Sequence, residues 1–292
     1  MSSRLRLCIA IAIVGVVVVV EFVGAVLVGS LALLADAGHM VSDLGGLVIA
    51  LVALAVAARP ATDRQTFGYQ RAEVFGALAN GLIVSAVAVF VAVEGVRRLV
   101  EPTEVLALPM LVVAGIGLVA NVVVMLVLRG GDRRSFGLRG AYLEVLGDLL
   151  GSAAAIVGAV VILLTGFARA DAIASLVIAA LILPRAFILL RDVFRVLSQA
   201  VPKNMNVAEI RQHLLETPGV VDVHDVHVWA ITSGAPVFSA HVVVEAALFT
   251  SGQTGELLDE LGRCLAGHFD VEHSTFQIEP EGHAAQEDHL HR

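Results

Sequence analysis

Six long apolar stretches constrain the fold of this chain more than any other feature. They cover residues 7–27, 33–56, 74–96, 108–128, 141–164 and 173–190. Each is close to the length of about 20 residues that a helix needs to cross a bilayer core of about 30 Å. The mean hydropathy of +0.87, with 58% hydrophobic residues, is far above that of a soluble domain. The sequence therefore predicts an all-α membrane domain of six helices over residues 1–200.

The first apolar run and the basic residues set the predicted topology. The run is long and no small-residue cleavage site closes it, so we interpret it as a retained span rather than a signal peptide. Most basic residues near span ends fall on one side, namely Arg4, Arg6, Arg59, Arg64, Arg71, Arg129, Arg133, Arg134 and Arg139. Because cytoplasmic loops carry an excess of basic residues, both termini are predicted to be cytoplasmic. We expect a multi-pass protein of the plasma membrane, surrounded by lipid.

The pattern changes after residue 200. Residues 207–216 and 256–268 have helical apolar spacing, whereas 220–231, 237–245 and 274–279 are rich in strand-forming residues. The order αββαβ predicts a small α+β domain over residues 201–282, with helices on one face of a sheet. Residues 283–292 are predicted to be a disordered tail that contains histidines.

Several classes of function are excluded by what the sequence lacks. The net charge of −8 argues against nucleic acid as a partner. Cys8 and Cys264 lie far apart, so neither a disulfide nor a thiolate metal motif is indicated. No nucleotide-binding or nucleophile motif is present, which argues against an enzyme, an organic cofactor and ATP-driven transport. Any transport would have to run on a gradient.

Ionisable residues interrupt two of the predicted spans. His39 and Asp43 lie four residues apart in the second span, and Glu144 and Asp148 lie four apart in the fifth. Residues at that spacing share one face of a helix. Ionisable groups at membrane depth are expensive and usually mark an ion path, although polar contacts between helices are an alternative. Two such pairs supply four ligands, the number that suits zinc or a similar divalent cation.

Other polar residues in or near the spans have less direct interpretations. Asp36 could be a ligand, a charge on the ion path or a helix-start group near the outer surface, and we favour the last. Hydrogen bonding between helices, or lining of a water-filled cavity, is the interpretation for Glu21, Asn80, Glu94, Asn121 and Asp171.

Four motifs then carry a family resemblance. They are LALLADAGHMVSD at residues 31–43, TFGYQRAEVFGALANG at 66–81, AYLEVLGDLLGS at 141–152 and VHDVHVWAITSGAPVFSAHVVV at 223–244. In this order they resemble the cation diffusion facilitator family of zinc and heavy-metal exporters. The resemblance implies a homodimer that exchanges a cytosolic divalent cation for protons. It also implies that the C-terminal domain is ferredoxin-like and cytosolic.

The resemblance assigns candidate site residues. The family's transport site falls on His39, Asp43, Glu144 and Asp148, but Glu144 stands where the family usually has histidine. A carboxylate there favours harder, oxygen-preferring ions relative to zinc. The alternative substrates to zinc are cobalt, cadmium, iron or manganese.

A second, regulatory metal site is implied at His224, His241 and Glu279, with His227 close by; histidines that are merely solvated are the alternative. Two other functions stay open, a channel and a membrane metal sensor without flux.

Overall fold

The computed structural model describes residues 3–57, 59–129, 136–232, 234–271 and 273–283. The chain divides into two compact units. The first comprises Met1–Leu54 and Gly76–Leu190, and the second comprises Ala55–Phe75 and Arg191–Arg292. The predicted tail beyond residue 283 lies outside the described residues, so its disorder stays a prediction.

Each predicted span lies within one long helix. The helices are α1 (Ser3–Val28), α2 (Leu31–Ala57), α3 (Arg71–Val100), α4 (Ala107–Arg129), α5 (Phe136–Thr165) and α6 (Arg169–Leu197). Over the described residues, α1, α3, α4, α5 and α6 are long and apolar enough to cross a membrane. In α2, the described apolar segment is shorter and covers residues 31–42. The predicted helical membrane domain is confirmed.

Small side chains dominate the contacts between these helices. The buried cluster of the unit includes Ala32, Ala35, Ala155 and Ala159, all at most 1% exposed. Small residues let helix backbones approach closely. Because lipid is as apolar as the side chains, this close packing is what drives helix association in the membrane. Large apolar side chains point outward instead, as Leu164 does with 81% exposure. The unit is therefore built to be surrounded by hydrocarbon.

The start of α2 is held by Asp171 of α6. The buried Asp171 carboxylate accepts hydrogen bonds from Ser30 Oγ (2.6 Å), Leu31 N (2.8 Å) and Ala32 N (3.1 Å). The bonds from Leu31 N and Ala32 N satisfy backbone donors that a helix N-terminus leaves unpaired. Asp171 thus bonds between helices, in line with its interpretation from sequence. The helix-start role that we favoured for Asp36 is wrong, because Asp36 is buried inside α2 and bonded to α5.

Replacing Asp171 with alanine should destabilise the helical unit without touching the candidate ion ligands. The change leaves buried donors of Ser30, Leu31 and Ala32 without their acceptor, at a cost of about 3 kcal/mol. Thermal unfolding in detergent should show a clear decrease in Tm. Glu101→Ala, at an exposed residue, is the matched control and should leave Tm nearly unchanged. Equal Tm values for the two variants would contradict the capping role.

The C-terminal part of the second unit is a small α+β domain. Its elements are α7 (Val207–Leu215), β1 (Val220–Ala230), β2 (Pro236–Val244), α8 (Ala246–Ser251), α9 (Thr254–Phe269) and β3 (His273–Pro280). The sheet order is β1-β2-β3, with β2 antiparallel to β1 and parallel to β3. The predicted ferredoxin-like α+β class is confirmed. The short helix α8 was not predicted from the sequence.

Alternation along the strands gives the sheet two different faces. Ile210 and Leu214 of α7, with three leucines of α9, pack against one face, where β2 contributes Phe238, Ala240, Val242 and Val244. Successive side chains of a strand point to opposite faces. His241 of β2 and Glu279 of β3 therefore belong to the opposite face. An irregularity in β1 between His224 and His227 lets both Val223 and Val228 face the helices.

Candidate metal centres

The helical unit brings two of the predicted ligands together. His39 Nε2 of α2 lies 4.0 Å from Asp148 Oδ1 of α5, and both side chains are largely buried, at 12% and 5% exposure. The side chains of Asp43 and Glu144 lie outside the described part of the structure, although both positions are helical. The described geometry therefore supplies one histidine nitrogen and one carboxylate, from different helices, at one place.

The contacts between α2 and α5 also fix the register of these helices. Ser152 Oγ donates a hydrogen bond of 2.9 Å to Asp36 Oδ2. Moving from Asp36 to His39 on α2 corresponds to moving back from Ser152 to Asp148 on α5, so the two helices are antiparallel. One further turn, a rise of about 6 Å, brings backbone positions 43 and 144 to the same level.

Two glycines of α5 make room for charged groups from its neighbours. A Cβ at Gly151 would clash with Asp36 Oδ1, and a Cβ at Gly147 would lie 2.6 Å from Arg185 Nη1. A cavity of about 50 Å³ is lined by these glycines with Asp36, His39 and Arg185. The glycines thus allow polar side chains to approach α5 closely. The volume of the cavity suits a small ion or water.

Three predicted residues of the C-terminal domain converge on the sheet face opposite the helices, where Glu279 is buried. His241 Nδ1 lies 2.8 Å from Glu279 Oε1, and His224 Nε2 lies 3.3 Å from Glu279 Oε2. One ligand atom from each residue lies within 4.8 Å of the others. His224 and His241 are register partners on β1 and β2, which explains their proximity. Atoms about 3 Å apart can share one ion at about 2 Å each.

Sequence reasoning missed Asp225, which lies between the histidines. Its backbone has a φ of +48°, a conformation that aspartate tolerates better than most residues. The carboxylate lies 3.0 Å from His227 Nε2 and 3.7 Å from His241 Nε2. Regular alternation would have placed Asp225 on the other face from His224. The strand irregularity is what brings its carboxylate to the histidines. An aspartate within a strand-forming run was the available signal.

The predicted candidate His227, and Cys264, for which no metal motif is indicated, are less suited to a metal. His227 is 47% exposed and contacts Asp225, and it is not part of the three-residue group. Burial, followed by the charges of Glu260 and Glu216, raises the pKa of the Cys264 thiol. A thiol that resists deprotonation is a poor ligand at neutral pH. Neither residue extends the cluster of His224, His241 and Glu279.

The helical unit has long apolar helices around a buried histidine–carboxylate contact, and the sheet domain has a second such cluster. These features define a multi-pass membrane protein of the ion-transporting class. The family model described as the cation efflux transmembrane domain matches residues 7–198, and the one described as the cation efflux protein, cytoplasmic domain, matches 202–281. The chain belongs to the cation efflux family. It is therefore a membrane transporter and not an enzyme, and the resemblance drawn from the four motifs is confirmed.

Several curated relatives match nearly the whole chain. The metal cation efflux system protein CzcD of Cupriavidus metallidurans is 42% identical over 95% of this chain and 87% of its own length. The cadmium, cobalt and zinc/H(+)-K(+) antiporter of Bacillus subtilis is 37% identical over 91% of this chain and 85% of its own length. The zinc transporter ZitB of Escherichia coli is 36% identical, over 95% and 88% respectively.

A solved structure of the metal-bound C-terminal domain of the CzcD transporter is also similar. It is 41% identical to this chain, covers 26% of this chain and 99% of its own length, and has a TM-score of 0.24.

Proposed function

We propose that this transporter exports a divalent transition-metal cation, with zinc as the first candidate, from the cytosol in exchange for protons. The contact between His39 and Asp148 across α2 and α5 is the observation that carries the proposal. The names of the relatives support it, since ZitB is a zinc transporter and the Bacillus protein exchanges cadmium, cobalt and zinc for protons and potassium. Cobalt, cadmium, iron and manganese are the alternative substrates.

The proposed transport site consists of His39, Asp43, Glu144 and Asp148. The antiparallel register supports the inclusion of both remaining carboxylates, because it brings positions 43 and 144 to one level, a turn away from the described contact. One imidazole and three carboxylates supply four ligands, and two of the carboxylates suffice to balance the charge of a divalent cation where water is scarce. The three oxygen donors make this site harder than one with two histidines, which widens the range of ions that it accepts.

Proton exchange follows from the chemistry of these ligands. A carboxylate or imidazole must lose its proton before it binds a metal ion, so metal affinity decreases as the pH falls. Metal loaded from the cytosol displaces protons, and protons replace the metal after its release on the other side. Rocking of a bundle that contains α2 and α5 would open the site alternately to the two sides.

The test of this function is simultaneous measurement of zinc and pH in proteoliposomes. Zinc flux should saturate, should increase with an opposing proton gradient, and should be accompanied by a pH change in the lumen. Liposomes without protein are the control for leakage. Saturable zinc flux with no response from a luminal pH dye would contradict proton antiport, and flux without saturation would favour a channel.

We further propose that His224, His241 and Glu279 bind a regulatory metal ion, with Asp225 and His227 beside it. In the full-length Asp148→Ala variant, residual zinc binding measured by calorimetry should come from this site. Adding His241→Ala should then abolish that binding, because Glu279 loses its partner at 2.8 Å. His273→Ala, at an exposed histidine of β3, is the matched control and should bind normally. Unchanged binding in both variants would favour solvated histidines.

The topology and assembly are part of the same proposal. Both termini lie in the cytoplasm of a plasma-membrane protein, as the distribution of arginines indicates. The protein is a homodimer. The match to the cation efflux cytoplasmic domain supports this, because that family model carries the name ZT_dimer. A membrane metal sensor without flux is the second candidate function, supported by the histidine–carboxylate cluster on the sheet. Absence of zinc flux in proteoliposomes that still bind zinc would favour it.

A further inference from the structure

Glu21 of α1 is a buried acid that the proposed metal site does not use. Its side chain is 0% exposed, within an apolar span of 18 residues. Among the described residues, neither carboxyl oxygen of Glu21 has a hydrogen-bond partner. An anionic carboxylate without a partner is very costly in such a setting. The Glu21 carboxyl therefore needs a proton or a cation to be accommodated.

The surrounding helices leave space for this carboxyl. A Cβ at Gly117 of α4 would clash with Glu21 Oε1, and it would lie 3.4 Å from Ser152 Oγ of α5. The Glu21 carboxyl and the Ser152 hydroxyl thus both border Gly117. Ser152 in turn donates its hydrogen bond to Asp36 Oδ2. A glycine on α4 and a serine on α5 connect the buried acid of α1 to the buried acid of α2.

The charges around Glu21 are acidic. Its electrostatic neighbours are Asp36 of α2 and Asp148 of α5. From α4, the described side chains supply only the buried amide of Asn121, since Ala107–Arg129 contains no acidic residue and its one basic residue, Arg129, is outside the described side chains. Arg185 of α6 lines the cavity beside Asp36 and His39. Glu21, Asp36 and Asp148 are thus three acids in a part of the helical unit where the structure describes few basic groups.

A proton fits this position better than a metal ion. Among the described residues, Glu21 and Asp36 do not belong to any group of three histidine, cysteine or acidic side chains that converge within the reach of one ion. Two carboxylates without a third ligand are too few for a transition metal. A carboxyl group by itself is sufficient to hold and release a proton.

We propose that Glu21 is a proton-binding residue of the return step, separate from the metal ligands, with Asp36 as its acidic neighbour through Ser152. This inference rests on the proposed function, because it assigns the counter-ion of the same exchange. On the return leg the Glu21 carboxylate takes up a proton to form the neutral acid. Metal loaded from the cytosol then displaces that proton into the cytosol, and the carboxylate is restored.

The experiment compares two kinds of zinc movement in proteoliposomes. Net zinc uptake driven by a pH gradient requires protons to move, whereas isotopic zinc–zinc exchange at equal pH does not. Glu21→Gln keeps the size and polarity of the side chain but cannot ionise. It should decrease pH-driven uptake about tenfold or more while exchange stays within about twofold of the unmodified protein. Glu94→Gln, the same change at an acid of α3 paired with Arg98, should leave both unchanged.

Two further variants separate ionisation from structure. Glu21→Asp retains a carboxyl group and should restore part of the pH-driven uptake that Glu21→Gln loses. Gly117→Ala removes no titratable group, but it displaces the Glu21 carboxyl. It should therefore also decrease pH-driven uptake more than exchange. Size-exclusion profiles in detergent establish that each variant is folded.

The outcomes are distinct. Normal pH-driven uptake in Glu21→Gln would overturn the proposal. Parallel loss of uptake and exchange in folded Glu21→Gln, together with weaker zinc binding, would overturn it in favour of a metal-path role. If the unmodified protein moves zinc without protons, the proposed antiport fails, and that result is visible before any variant is compared.

Discussion

Asp148→Ala should abolish zinc transport while leaving the protein folded in the membrane. Asp148 is the carboxylate that the structure places 4.0 Å from His39, and its removal would take one anionic ligand from the proposed site of four. Loss of even an outer-shell partner typically costs 10- to 100-fold in metal affinity, so loss of a direct ligand should decrease flux by about two orders of magnitude or more. Saturable zinc uptake into proteoliposomes is the measurement.

Two companion variants make this result specific. Glu94→Ala removes an acid from α3 that already pairs with Arg98, and it should transport normally. Asp148→Asn retains an oxygen ligand without the charge, so it should retain more zinc binding than Asp148→Ala but less than the unmodified protein. Normal flux in folded Asp148→Ala would show that Asp148 is not a ligand of the transport site.

Glu144→His should change which metal ion the transporter prefers. The substitution exchanges a hard, anionic oxygen for a neutral nitrogen, which favours zinc over manganese, and we expect the zinc-to-manganese preference to increase about tenfold. Competition among zinc, cobalt, iron and manganese in both proteins is the measurement. The backbone register, with position 144 level with position 43, is the structural reason to expect an effect.

The same substitution should alter the pH dependence of transport. Imidazole and carboxyl groups have different unperturbed pKa values, about 6.5 and about 4.3, and either must be deprotonated to bind metal. Binding should weaken as the pH falls in both proteins, but over different ranges. Glu144→Gln, which neither ionises nor supplies a nitrogen ligand, is the control. If selectivity and pH profile stay unchanged while Asp148→Ala is inactive, Glu144 lies outside the site.

The sequence predicted much of the architecture, because its signals are local. A run of apolar residues long enough to cross a bilayer has few alternatives to a helix, since backbone groups in lipid must be hydrogen-bonded within the segment. Runs of strand-forming residues and helical apolar spacing likewise predicted the three strands and two main helices of the C-terminal domain. The helix α8 was missed, since six residues are too short for a periodic signal.

Helix caps and acid environments depended on tertiary contacts instead. The sequence offered Asp36 as a helix-start group because it lies near the start of an apolar run. In the structure that role belongs to Asp171, 140 residues from Leu31 in sequence, and Asp36 bonds with Ser152. No local pattern reports which acid from a distant helix reaches a given N-terminus, since the packing of whole helices decides it.

What the sequence by itself determined is therefore the set of chemically capable residues and the elements that carry them. The spacing of His39 and Asp43, and of Glu144 and Asp148, placed each pair on one helix face, because that geometry is a property of the helix alone. Only the tertiary structure decided which residues meet. The antiparallel register of α2 and α5 brings His39 to Asp148, a strand irregularity adds Asp225 to the histidine cluster, and Gly117 leaves room for the Glu21 carboxyl. Each depends on contacts between elements far apart in sequence, which no single segment encodes.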